Sequence, residues 1–233
     1  MQAAAVNAPR YDHAPLTGAG RGLLLEEARA NDLWPSEDFS NAHWTKDTGA
    51  AIVANAAPGL DGAATAQRVD FTNLAGAVRQ DVIVPNDGAT RTVSWLVKAG
   101  TVTSVVLRNF LLGGTAVMQD VGFDLVAGTC AATGAGIPTP ASLFGMLALP
   151  GGWWRIHAAI VNNSSGNTTL RSFIWGAATG TFFLDGAQSE VGLFPTSYIK
   201  TVSGSVTRAA DVASTGAEML YSATTLPSAP LHG

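Results

Sequence analysis

The sequence predicts an all-β sandwich or barrel flanked by an extended arm at each end. Three observations carry this. Apolar and polar residues alternate over short runs, turns rich in Gly, Pro, Asn or Asp divide the runs, and no long helical period intervenes.

The elements follow in chain order. Residues 1–22 hold breakers and no period, so they read as an arm. Leu23 to Ala30, LLLEEARA, is a short helical or strand-like segment that completes an N-terminal region of residues 1–33. Trp34-Pro35 opens a turn, because proline disfavours helix at the residue before it. The first runs with strand character are Ala64 to Phe71 and Ala77 to Val84. Thr92 to Lys98 alternates cleanly, with Val93, Trp95 and Val97 on one face and Thr92, Ser94 and Lys98 on the other. Val102 to Phe110 and Val117 to Val126 follow. Ser142 to Leu149 and Trp153 to Val161 flank a hairpin loop, Pro150-Gly151-Gly152. Leu170 to Trp175 and Thr181 to Val191 close the set around Gly176 to Gly180. The β domain therefore covers residues 34–200, and residues 201–233, small and polar, form a C-terminal arm expected to engage neighbouring subunits.

Composition narrows the function. Hydrophobic residues make up 47% of the chain and charged ones 13%, against about a quarter charged in a typical soluble domain. Such a chain builds a real core and leaves uncharged surface, which suits faces that meet other subunits. The net charge of −4 and the lack of a basic cluster argue against nucleic-acid binding. Cys130 is the single cysteine, so intrachain disulfides and paired-cysteine zinc sites are excluded; it is expected as a small residue in or near a strand. The first residues lack a positive region followed by an apolar run, which predicts no secretory signal and synthesis in the cytoplasm. The most apolar stretch, Ala141 to Pro150, is far too short to cross a bilayer, so no membrane insertion is expected.

No nucleophile elbow, P-loop, dinucleotide fingerprint, HExxH or EF-hand loop occurs. His13, His43, His157 and His232 are scattered. Of the carboxylates a glycosidase would need in pairs, Glu26 and Glu27 are adjacent and cannot face one site. Asp120 and Asp124 share a strand face and read as solvated. The expectation is a protein that is not an enzyme and needs no cofactor. One metal reading stands beside it: Glu37 and Asp38 precede the first strand of the sandwich and Asp185 lies in the last, where oxygen ligands could hold a structural calcium.

The six tryptophans, Trp34, Trp44, Trp95, Trp153, Trp154 and Trp175, are many for so few charges. Trp153 and Trp154 are neighbours on one strand and so face opposite ways. Core packing accounts for most of these rings, but aromatic faces beside polar groups also suit the C–H faces of sugars. Trp95, Trp153, Trp154 and Trp175, with Arg155 and Gln188 as polar partners, are the candidate glycan-binding residues.

Several phrases also resemble those of bacteriophage virion proteins. GRGLLLEEARAN at 20–31 and WPSEDFSNAHWTK at 34–46 are similar to an opening in which "LLxEEARTN" leads into "SEDFSNAxWTK". WLVKAGT at 95–101, FDLVAGT at 123–129 and GGWWRIHAAIV at 151–161 resemble shared strands. FFLDGAQSEVGLFPTSYIKT at 182–201 and VTRAAD at 206–211 resemble the closing phrases. The match runs in order from about residue 8 to 212. It departs at Arg29-Ala30-Asn31 and at Leu184-Asp185, where the family has a tryptophan before "GAQ". The resemblance implies a tail, fibre or head-spike domain with a jelly roll similar to carbohydrate-binding modules. It implies a homo-oligomer, a trimer by the spike-like comparison, which touches other virion proteins through its arms and contacts host surface polysaccharide. Asp185 occupies the place of a closing-strand aspartate that joins a calcium site in related jelly rolls. A capsid decoration protein without sugar binding and a polysaccharide depolymerase are the alternative readings.

Overall fold

The computed structural model describes residues 11–133 and 143–211. The outer parts of both expected arms, residues 1–10 and 212–233, lie outside the described residues, His232 among them.

The chain is an antiparallel β-sandwich jelly roll, with no α-helix among the described residues. A short hairpin, β1 (Tyr11–His13) with β2 (Gly20–Leu23), precedes β3 (Arg29–Asn31). The front sheet has the order β11–β10–β9–β14–β7–β4, built from β4 (Thr45–Lys46), β7 (Val78–Ile83), β9 (Ser104–Leu112), β10 (Val117–Asp124), β11 (Thr129–Ala132) and β14 (Thr169–Gly176). The back sheet has the order β12–β13–β8–β15–β6–β5, built from β5 (Ala50–Ala57), β6 (Ala66–Phe71), β8 (Thr90–Ala99), β12 (Phe144–Ala148), β13 (Trp153–Val161) and β15 (Gly180–Val191). β16 (Val206–Arg208) pairs with β3.

LLLEEARA is extended rather than helical. Asp211 N–H donates to the Glu26 carbonyl, Glu26 N–H donates to Asp211 Oδ2, and Asp32 N–H donates to the Ser189 carbonyl. Residues 26–32 and 201–211 thus bond to one another and to this chain's own sandwich. The proline turn appears as expected, with a cis Trp34–Pro35 bond.

Period-two alternation places the core between the sheets. β8 turns Val93, Trp95 and Val97 inward, opposite Leu107, Leu111, Val121, Phe123 and Ile174 from the front sheet. Phe39, Trp44 and Trp95 pack as a trio with ring centroids 4.9 to 5.6 Å apart, and the Trp44 indole N–H donates to the Pro35 carbonyl at 2.7 Å. Fully burying such side chains stabilises by roughly 1.5–3 kcal/mol each.

A polar row crosses this core. Gln119, Asn109, Ser172 and Gln80 are successive cross-strand partners on β10, β9, β14 and β7, and all are buried. Asn109 Nδ2 donates to the Ala158 carbonyl and Gln119 Nε2 to the Ala159 carbonyl, both at 2.9 Å. These bonds tie the sheets together where the last β12 pair, Phe144 with Ala158, ends. A buried carbonyl needs a donor, and here two amide side chains supply it across the sandwich.

Candidate functional site

The predicted glycan residues are dispersed by the fold. Trp95 is 0% exposed in the aromatic trio. Trp154 turns toward the core, with its indole N–H on the Leu125 carbonyl at 2.8 Å. Trp153 faces the opposite way, as adjacency requires, but is 2% exposed on the outer side of the back sheet. Gln188 is fully buried on that same side. Trp95, Trp153 and Gln188 therefore offer no surface to a ligand in this chain.

Arg155 and Gln188 belong to a buried clamp. After β15 the chain folds back, and residues 193–201 cover the outer side of the back sheet. Glu190 Oε1 accepts from Gln188 Nε2 at 2.6 Å and Thr196 N at 2.9 Å, while Oε2 accepts from Thr196 Oγ1 at 2.7 Å. Gln188 Oε1 accepts from Ile199 N at 2.7 Å. Arg155 donates to the Thr196 carbonyl and to Ser94 Oγ. Burial lowers its pKa, although Glu190 counteracts this. Asn31 donates to the Ala187 and Ile199 carbonyls and accepts from Ser189 N. The Tyr198 hydroxyl donates to Ser36 Oγ at 2.7 Å, and burial raises its pKa. Every polar group in this list is engaged with the chain itself, so the clamp holds structure.

Each of the three calcium candidates has partners of its own, although Glu37 is near enough to Asp185 to help raise its pKa. Glu37 pairs with Lys200 at 2.5 Å. Asp38 Oδ1 accepts from Ser40 N, Ser40 Oγ and Gln67 Nε2, bonds that hold its carboxyl below the usual range. Asp185 accepts from Leu60 N at 2.8 Å and Thr65 Oγ1 at 3.2 Å, and burial raises its pKa. Among the described residues no three His, Cys, Asp or Glu side chains form a metal-holding group.

The outer side of the front sheet is different. β14 alternates Leu170, Ser172 and Ile174 inward with Arg171, Phe173 and Trp175 outward and half-buried. Outward on the flanking strands are Arg79, Asp81, Arg108, Phe110 and Asp120. Three guanidiniums ring Phe173, with Arg79, Arg108 and Arg171 carbons 5.8, 6.0 and 6.0 Å from the ring centre. Arg108 also stacks on Trp175 at 5.1 Å. Each arginine meets a carboxylate: Arg108 with Asp120 and Arg171 with Asp81 through two bonds of 2.6–2.7 Å, and Arg79 with Asp47 at 3.0 Å. Those bonds hold Arg108 and Arg171 yet more firmly protonated. The result is an aromatic platform framed by charge-neutral, orientationally fixed polar pairs.

Beside Trp175 the platform drops away. Trp175 is the cross-strand neighbour of Val106, Val106 of Gly122, and Gly122 of Ala131. These small residues floor a shallow depression of about 450 Å³, bordered by Ser104, Asp124 and Thr129. That volume is within the roughly 300–1,000 Å³ range of small-molecule sites. None of the predicted ligand residues lines it; Trp175 stands one strand away, across Val106. Arg79, Arg108, Gly122 and Phe173 were not singled out from sequence, although the alternation Arg171-Phe173-Trp175 was available as a signal.

No family model matches the chain, and no curated protein matches it in sequence. Several solved structures resemble it. One is the enzymatically active domain of tailspike protein 4 from bacteriophage CBA120, at 14% identity and TM-score 0.45, over 69% of this chain and 21% of that one. Another holds the N-terminal carbohydrate-binding and glycoside hydrolase modules of Clostridium thermocellum xylanase 10B with xylohexaose, at 14% identity and TM-score 0.47, over 76% and 30%. A third is the xylan-binding domain of Paenibacillus barcinonensis, at 13% identity and TM-score 0.41, over 70% and 92%. The chain thus spans less than a third of each of the first two.

Proposed function

We propose that this chain is a non-enzymatic virion structural protein, a tail, fibre or head-spike component, whose jelly roll contacts host surface glycan through the outer side of its front sheet. The observation that carries the glycan part is the half-exposed pair Trp175 and Phe173 set among arginine–aspartate pairs. Sugar rings present apolar C–H faces and polar edges, and this surface offers both complements at fixed positions. The phrases shared with phage virion proteins support the virion setting. The non-enzymatic reading rests on Asp47, Asp81 and Asp120, each held by an arginine, which leaves Asp124 on this face without a second unpaired carboxylate among them.

The test is retention of the assembled protein on immobilised host surface polysaccharide, comparing wild type with Trp175→Ala. Retention that falls at least tenfold in a variant with unchanged melting temperature supports the reading. Equal retention of both proteins, or of neither, rejects it.

A decoration or assembly role is the second reading. Leu193 and Phe194 are more than half exposed in the connector that follows β15, and a self-contact there fits a homo-oligomer. Phe194→Ser reducing the sedimenting mass, with no glycan retention by wild type, is the result that favours assembly alone.

A further inference from the structure

We propose that the depression over Gly122 is a subsite for an uncharged pyranose ring of a glycan that runs on from the Trp175 platform one strand away, with Asp124 as a filter against acidic sugars. This deepens the glycan reading of the front sheet and rests on it.

The first argument is Gly122 itself. It sits mid-strand in β10, paired in regular register with Val106 on one side and Ala131 on the other. No bulge or turn needs its conformational freedom, and its φ is not among the positive ones. Glycine inside a strand weakens it, and a residual reason for one is close approach by a ligand or another chain. A Cβ there would meet Thr133 Cγ2 at 3.2 Å, so part of the reason is packing. The rest is space: a larger side chain at 122 would project into the depression that Gly122 lines.

The second argument is charge. Asp120, Gly122 and Asp124 alternate on the outer side of β10. Asp120 is neutralised by Arg108. Asp124 accepts from Val126 N and Ala127 N at 2.9 and 2.8 Å, contacts that lower its pKa and keep it anionic. It is the single charged residue among the described residues that line the depression. A uronic or sialic carboxylate seated there would face a like charge with no cation to offset it. Hydroxyl-bearing neutral sugars meet an acceptor instead.

The experiment is a glycan array of neutral polysaccharides that includes one charge-matched pair, fully methyl-esterified and free-acid polygalacturonate, probed with the assembled protein. Wild type is expected to bind neutral members and to bind acidic ones at least tenfold more weakly. Gly122→Leu and, because a new Cβ at 122 touches Thr133, also Ala131→Leu are expected to reduce neutral binding at least tenfold at unchanged melting temperature. Asp124→Asn, which keeps the turn-capping oxygen, is expected to narrow the neutral-to-acid ratio. Glycan binding with no preference against acids, or binding insensitive to both filling variants, overturns the subsite while leaving the platform reading intact. Absence of binding to any member removes both.

Discussion

The Arg108 guanidinium lies 5.1 Å from the centre of the Trp175 ring while its nitrogens grip Asp120 at 2.6 and 2.7 Å. One side chain thus orients the half-buried tryptophan and neutralises the carboxylate of the neighbouring strand. Arg108→Met keeps the aliphatic stem but leaves Asp120, whose side chain is 12% exposed, without its partner. Because the arginine is about a third exposed, solvent screening limits the cost to about 1 kcal/mol. Urea unfolding should show that loss, and Arg108→Met with Asp120→Asn should recover most of it. A double variant as unstable as the sum of the singles contradicts the coupling.

The aromatic trio makes a larger prediction. Trp95 touches Phe39 and Trp44 at ring distances of 5.6 and 5.2 Å and has no exposed surface. Trp95→Ala leaves a cavity that neither sheet can close, so about 3–5 kcal/mol of stability should be lost in guanidinium unfolding. A loss below about 1 kcal/mol would mean the ring is not packed as described.

Strand alternation was legible where one face is buried. Thr90–Ala99 and Trp153–Val161 appear almost as their patterns read, and Trp153 and Trp154 do point opposite ways. Ala50–Ala57 escaped notice because this exposed, alanine-rich edge strand has its only two β-branched residues, Ile52 and Val53, side by side and so shows no alternation. Thr129–Ala132 is too short to show a period. The phrases that resemble those of virion proteins mark the fold rather than an open surface, for a physical reason. Asn31, Ser36, Trp44, Gln188, Glu190, Thr196, Tyr198 and Arg208 all fall within them, and these residues pack the core or clamp the chain ends over the back sheet. They specify a fold. The open platform lies largely on strands outside those phrases, Ser104–Leu112 and Thr169–Gly176, where only the outward alternation of Arg171, Phe173 and Trp175 signalled it.

Asp87 and Arg91 give an acid-range prediction. Arg91, buried, donates to both Asp87 oxygens at 2.8 and 2.9 Å, and these bonds pull the Asp87 pKa from 3.8 down to about 2. A depressed carboxylate contributes stability that is complete above its unfolded value and vanishes as pH falls through the folded one. The wild type should therefore lose melting temperature between about pH 4 and pH 2 more steeply than Asp87→Asn. Parallel curves for the two proteins over that window would refute the pairing.

His157 acts in a different range. It stands on the outer side of β13 opposite Gly145, where a Cβ would come within 2.9 Å of the imidazole, so the glycine makes room for the ring. Burial, with Arg155 nearby, lowers its pKa from 6.5 to about 4. The folded protein thus holds the neutral ring at pH 5, whereas the unfolded chain has already taken up a proton. Stability from this residue is whole above about pH 6.5, declines as pH falls toward 4, and levels off below it. His157→Gln should flatten that part of the melting profile while leaving the lower, carboxylate-driven part unchanged. Direct titration by NMR should place the His157 midpoint near 4. A midpoint near 6.5 would show that the imidazole is solvated and that β12 does not lie over it.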